Sequence, residues 1–353
     1  MEFLAEYGLF LAKTLTFLVA LALAVAIIAG AAQKQRRHRD DDEIDIEKLN
    51  ERFEDYKDTV LDAVLDDDAK KQRKKDEKNA RKAEKKQRKK KSQPDSGQEA
   101  ASKKRVYVLD FEGDIKASET ESLSKLISAV LTQARPVDEV VVRLESGGGM
   151  VHSYGFAASQ LARITAKSIP LTICVDKVAA SGGYMMACVA DKILAAPFAI
   201  IGSIGVIAQI PNFNRLLKKA DIDYEMHTAG EYKRTLTMFG ENTDKGREKF
   251  TEELEDTHRL FKDYVQEHRP ALDVAQVATG EIWFGRRAIE LQLIDELKTS
   301  DEYIFELSES ADVFLLSISH KPKLAERLGL EFSKALERVL LRSFNVVRNR
   351  YFS

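Results

Sequence analysis

The sequence predicts an α/β domain of parallel strands joined by helices, carried behind a long apolar N-terminal stretch. Three observations predict it. From residue 105 onward short β-type runs alternate with single helical segments, the pattern of βαβ units with right-handed crossovers. The strand runs are almost wholly apolar, as in strands covered on both faces. Residues 9–32 (LFLAKTLTFLVALALAVAIIAGAA) hold one charge, Lys13, over a length that crosses a bilayer as a helix, for which about 20 apolar residues suffice.

The N-terminal tip, 1–8 (MEFLAEYG), is acidic, whereas a cleaved signal peptide starts with a basic region. The small residues at 29–32 leave cleavage as the alternative, but an uncleaved transmembrane anchor over 9–32 is the better reading. Lys34, Arg36, Arg37 and Arg39 follow the span directly, and this charge flank places the C-terminal bulk in the cytoplasm. Residues 33–104 read as a charged tether, largely disordered or helical. Its first part, 40–68, is acid-rich, and 70–91 (KKQRKKDEKNARKAEKKQRKKK) is basic and lacks the apolar residues to bury a core. The net charge of −2 hides this blocking. The basic run has no interleaved aromatics, so it reads as facing solvent or lipid headgroups, and no nucleic-acid partner is expected.

The domain runs over 105–300. Strands are expected at 106–111, 140–144, 171–175 and 192–196, with helices over 119–134 and 150–167. A strand-like run falls at 224–228, and 244–268 has the pattern of a long amphipathic helix. The apolar run 193–210 contains Pro197, Gly202 and Gly205 and reads as buried core, not as a second membrane span. Residues 301–353 are expected to form a C-terminal helical extension, basic and amphipathic towards its end. Cys174 and Cys188 lie in apolar runs and read as small buried hydrophobes. No CxxC or Cys/His cluster is present, so neither a metal nor a cofactor is expected.

Three stretches could carry chemistry. The first, ESGGG (145–149), ends a strand and opens a helix, where glycines let backbone N–H groups approach a ligand. No GK[ST] follows, and the spacing does not fit a dinucleotide fingerprint, so a tight βα turn is the alternative. The second, ASGGY (180–184), again follows a strand. Ser181 there is either a helix cap or a nucleophile whose own turn supplies the Gly182 N–H to an oxyanion. The third, GEYKR (230–234), offers Lys233, which serves as a base if burial populates its neutral amine. A Ser-His-Asp arrangement through His152 or His227 ranks second, since no motif singles out an aspartate.

Together these stretches resemble the signal peptide peptidase A family of serine proteases, most closely its short SohB branch. The resemblance covers about 105–300 and rests on ESGGG (145–149), AASGGY (179–184), GSIGV (202–206) and GEYK (230–233). ATGEIWFGRRA (278–288) and LIDEL (293–297) are also similar. The resemblance implies a Clp protease/crotonase-like fold of repeated ββα and βαβ units. It implies a Ser/Lys dyad of Ser181 as nucleophile and Lys233 as general base, with Ser203 orienting the lysine amine. The oxyanion donors would be the N–H of Gly182 and of Gly148 or Gly149. Gly147 stands where the family usually has proline, which loosens the turn and removes no donor. The implied partners are peptide or membrane-protein substrates, membrane lipid through the anchor, and further copies of the chain, each site being completed within one protomer. The implied location is a bacterial inner membrane with a periplasmic catalytic domain, opposite to the charge flank. A crotonase-like acyl-CoA enzyme and a non-catalytic scaffold of the same fold are the competing classes.

Overall fold

The computed structural model describes residues 13, 14, 17, 42–66, 68–70, 72, 73, 75 and 103–320. The expected anchor over 9–32 lies outside the described residues but for three helical positions, as do most of the basic block and the end of the expected C-terminal extension. Among the described residues no helix is long and apolar enough to cross a membrane. The chain divides into two compact units, one of Ile46–Ser317 and one of Met1–Asp45 with Ile318–Ser353. The first carries the candidate site.

Its trunk is a parallel sheet. β2 (Arg105–Gly113) pairs with β3 (Glu139–Ser146) over eight residues, from Val106 opposite Glu139 to Gly113 opposite Ser146. β3 pairs in turn with β4 (Leu171–Val175), and β4 with β6 (Lys192–Ala195). β9 (Glu296–Leu297) follows β6, and β10 (Asp312–His320) lies parallel to β2 on the other side. Val106, Val108, Leu109, Phe111, Val140, Val141, Val142 and all five residues of β4 are buried, as the near-continuous apolar runs require. The crossovers are α2 (Thr120–Leu131) and α3 (Val151–Thr165), which bury Leu123, Leu126, Ile127 and Val130, and Tyr154, Ala157, Ala158, Leu161 and Ile164, at helical spacing.

The sheet forks. After β4 the chain bends at Asp176 and Lys177 and resumes as β5 (Val178–Ala180). β5 leaves β4's path and pairs Ala179 with Ser146 at the very end of β3. Its other edge takes β7 (Ile200–Gly202) in parallel, and β7 takes β8 (Ile282–Phe284) antiparallel. This three-stranded branch, including the antiparallel β8, is absent from the expected βαβ series.

Other expectations change as well. β1 (Asp42–Lys48) and α1 (Leu49–Val64) arise inside the segment read as a tether. Leu49 is buried among Val106, Val108, Val141, Cys174, Ile304 and Val313, so an acid-rich segment still contributes to the core through one apolar residue at its helix start. Asn50 fixes that start. Its Nδ2 donates to the carbonyls of Ser308 and Ala311, both at 2.9 Å, and its Oδ1 accepts from Val313 N–H at 2.8 Å. The domain also extends past the expected boundary at 300. α9 (Ser300–Ser310) leads into β10, a strand of the trunk and not part of a helical extension. The run 224–228 is exposed and forms no strand, because no neighbouring strand supplies a ladder. The long helix is α6 (Asp244–His268), capped by Thr243 Oγ1 accepting from Gly246 N–H, with Phe261 and Val265 as its buried residues. Within 193–210 the core reading holds for Ile193–Ala195, Ala199, Ile201 and Ile204, but Phe198 is 75% and Ile207 78% exposed.

One buried charge organises the N-terminal end of the sheet. Asp138 is fully buried and accepts from Arg105 and Arg135 through side chains and backbone N–H groups of both. Burial alone would raise its pKa, but the hydrogen bonds from Arg135 and Arg105 outweigh it and hold the carboxyl well below the usual range.

Candidate active site

The fork brings three of the quoted stretches to one place. Ser146 of β3 faces Ala179 of β5, and Ala180 of β5 faces Gly202 of β7. The glycine loop, Ser181 and Ser203 therefore leave three adjacent strands at the same C-terminal end. Ser181 N–H donates to the Gly202 carbonyl at 2.8 Å, and Ser203 N–H to the Glu281 carbonyl at 2.6 Å.

Ser181 adopts φ 52° and ψ −118°, a conformation that costs a non-glycine residue about 1–3 kcal/mol and persists only where the surroundings enforce it. It stands at the N-cap of α4 (Gly182–Ala187), yet its hydroxyl makes no capping hydrogen bond. The cap reading accounts for its position and not for its side chain. Ser203 has the same φ, 52°, following Gly202 at φ 100°.

Three glycines make the junction possible. A Cβ on Gly148 (φ 86°) would lie 2.6 Å from Gly182 N and 2.7 Å from Ser181 Cβ. A Cβ on Gly149 would lie 2.1 Å from the Ile115 carbonyl oxygen, and one on Gly182 would lie 2.4 Å from Tyr154 Cγ. Gly147 is different, since a Cβ there would meet nothing within 4 Å, so the residue standing in the proline position of the family is under no steric demand for glycine. The N–H of Gly148 donates to Ser146 Oγ at 3.1 Å. Of the two loop candidates for an oxyanion donor, Gly149 is the one whose N–H has no acceptor among the described residues.

No hydrogen bond joins Lys233 to Ser181. Lys233 sits exposed on the arm 207–239, and its side chain makes no hydrogen bond or ion pair among the described residues. The arm exposes Ile207, Phe213, Leu216, Ile222, Tyr224 and Met226. The histidine alternative fares worse. His152 is exposed, and His227 is 89% exposed beside Glu225, so neither forms a triad with Ser181. Cys174 and Cys188 are buried free thiols, and burial pushes Cys188 up to about 12, which excludes a thiolate nucleophile at neutral pH. No cluster of three metal-ligating side chains exists among the described residues.

Sequence reading missed the supports of the junction. Trp283, the only tryptophan of the chain, lies over Gly202, where a Cβ would come 2.7 Å from its Cε3. Tyr154 and Ser146, both buried, back the glycine loop. A serine two residues before a glycine of positive φ is the one cue for the latter, through its turn-type hydrogen bond.

A serine on a strained strand-to-helix turn, faced by a glycine loop on the neighbouring strand, has the placement of a nucleophile beside backbone N–H donors. The pattern of the peptidase family S49 N-terminal region matches residues 2–161, and that of peptidase family S49 matches 163–314. The chain is 57% identical over 244 residues to the probable protease SohB of Haemophilus influenzae, covering 69% of each chain. It is 53% identical over 243 residues to the probable protease SohB of Buchnera aphidicola from Acyrthosiphon pisum, covering 69% of this chain and 72% of that one. Among solved structures, the 1510-N membrane-bound stomatin-specific protease with a substrate peptide covers 66% of this chain and 99% of its own, at 13% identity and a TM-score of 0.39, too distant to bear on the site. The chain belongs to peptidase family S49, the signal peptide peptidase A family, in its SohB branch.

Proposed function

We propose that this chain is a membrane-anchored serine endopeptidase that hydrolyses peptides, such as signal-peptide or membrane-protein fragments, through Ser181 and Lys233. The observation that carries the proposal is the Ser181 hydroxyl, unengaged in capping on a strained turn pressed against a glycine loop. Lys233, as the neutral amine, takes the Ser181 proton while Oγ attacks the peptide carbonyl. The N–H groups of Gly182 and Gly149 receive the oxyanion, while Gly148 N–H stays on Ser146 Oγ. Lys233 then protonates the leaving amine, and water repeats the sequence to release the acyl group. One oxyanion donor is worth about 3–4 kcal/mol of barrier. Ser203, next to Ser181 across the β5–β7 pairing, orients the lysine amine.

A lysine acts as a base only where desolvation disfavours its charged form. The exposed arm 207–239 therefore has to pack down before Lys233 serves Ser181. The apolar side chains along that arm supply a surface for this, covered by the chain itself or by a second copy in a homo-oligomer. The resemblance puts the anchor over 9–32 in a bacterial inner membrane with the catalytic domain on the periplasmic face, whereas the basic flank after the span favours the cytoplasm. A C-terminal phosphatase or β-galactosidase fusion decides between them.

Ser181→Ala and Lys233→Ala should each abolish peptide hydrolysis in a folded protein, and a fluorophosphonate should label wild-type Ser181. Full activity in either variant removes the dyad. An unlabelled serine favours acyl-CoA chemistry on the same fold.

A further inference from the structure

We infer that Ser146 and Tyr154 form a buried hydroxyl chain that sets the glycine loop against the nucleophile turn, making them positioning residues for the reaction proposed above, on which this inference rests. Four polar groups line up. Gly148 N–H donates to Ser146 Oγ at 3.1 Å, Ser146 Oγ lies 2.5 Å from Tyr154 OH, and Tyr154 OH donates to the Asp114 carbonyl at 2.7 Å. Each hydroxyl has one proton, so with Tyr154 donating to Asp114 the Ser146 proton goes to Tyr154. The Ser146 oxygen is then left to accept from Gly148. Every member is satisfied in one direction, from the loop N–H to the Asp114 carbonyl just past β2. The competing acceptor for Ser146, the Gly113 carbonyl, is farther at 3.3 Å.

The two side chains also touch the other half of the junction. Tyr154 is fully buried and its ring abuts Gly182, where a Cβ would sit 2.4 Å from Cγ. The Ser146 carbonyl oxygen abuts Gly183, where a Cβ would sit 2.4 Å away. The same pair thus holds the loop that faces Ser181 and the turn that carries it. Packing alone does not call for these hydroxyls. A phenylalanine fills the place of the Tyr154 ring, and burying a hydroxyl is unfavourable unless it is hydrogen-bonded. What the hydroxyls add is direction. They fix the Gly148 peptide, and with it the aim of its neighbour Gly149. The loop has a second tether, Met150 N–H to the Ile115 carbonyl at 2.9 Å, so removing the hydroxyl chain loosens the loop without releasing it.

The test uses the full chain with a fluorogenic peptide, comparing Tyr154→Phe, Ser146→Ala and the double variant, with Ser181→Ala as control. Removing the Tyr154 hydroxyl should lower kcat by about 10- to 100-fold, below the loss of a whole oxyanion donor, with KM changed by less than about twofold. The rate of fluorophosphonate labelling at Ser181 should fall in the same proportion, and the melting temperature should stay near that of the wild type. Because the two hydroxyls act as one chain, the double variant should be no worse than the weaker single one. A Tyr154→Phe enzyme with kcat within about threefold of wild type overturns the inference. So do losses that multiply in the double variant. Unfolding of both single variants also overturns it, by making the pair structural. If Ser181→Ala itself hydrolyses the peptide, the nucleophile assignment fails, a result readable apart from the other three.

Discussion

Replacing the three loop glycines one at a time by alanine separates steric demand from mere loop composition. At Gly148 the new Cβ would stand 2.6 Å from Gly182 N, 2.7 Å from Ser181 Cβ and 2.8 Å from the Ala180 carbonyl oxygen. All three neighbours are backbone or Cβ atoms, so no flexible side chain can turn away. Reaching ordinary contact at 3.4 Å requires the loop and the nucleophile turn to separate by about 0.8 Å. A misplacement of about 1 Å costs on the order of 100-fold in rate, and the φ of 86° adds about 1 kcal/mol of strain for any side chain. Gly148→Ala should therefore lose about two orders of magnitude in kcat. Gly149→Ala should lose at least as much, through its 2.1 Å approach to the Ile115 oxygen. Gly147→Ala meets nothing within 4 Å and should keep wild-type activity. The assay is kcat and KM on a fluorogenic peptide, with thermal melts to establish that each variant is folded. A folded Gly148→Ala enzyme within about threefold of wild type would refute the junction geometry, as would a Gly147→Ala enzyme crippled like the others.

Lys233→Arg should be as inactive as Lys233→Ala, because a guanidinium stays protonated and cannot accept the serine proton; peptide turnover checks this, and measurable hydrolysis by the arginine variant would exclude Lys233 as the base. Asp138→Asn should destabilise the fold by about 1.5–3 kcal/mol in denaturant titrations, since it replaces the buried carboxylate that accepts from Arg105 and Arg135. Asp138 is held below its ordinary value of 3.8, so its contribution is complete above that pH and fades as the pH falls below it. Wild-type stability should therefore drop more steeply than that of Asp138→Asn below about pH 4. Asn50→Ala strands two carbonyls and the Val313 N–H, and should cost about 2–3 kcal/mol with earlier proteolysis within residues 42–64.

The trunk of the fold was legible because its strands are apolar on both faces: VYVLDF, VVVRL and LTICV each mark a central parallel strand, and the helices between them bury residues at the expected spacing. The branch was not. β5, β7 and β8 have three residues each, too few to show any periodicity, and β8 reaches β7 from 80 residues further along the chain. The site divided along the same line. Ser181, Ser203 and the glycines are local features of strand ends, and the structure brings them together. Lys233 depends on where an exposed arm rests, which no local pattern encodes. α1 was hidden for another reason: acid-rich composition masks Leu49, which packs on strands of the trunk, and Asn50, whose partners lie about 260 residues away.

The fork in the sheet implies two clocks in one molecule. β2 and β3 share eight paired residues in the buried trunk, while β5–β7 and β7–β8 pair three each and β5 joins β3 through one. Opening the branch breaks few ladder bonds and exposes little core, so its free energy lies well under that of global unfolding. Amides of β7 and β8 should exchange with solvent deuterium sooner than those of β2 and β3. On heating, catalytic competence is then lost while the trunk is still intact, and recovers on cooling without the chain ever having to refold.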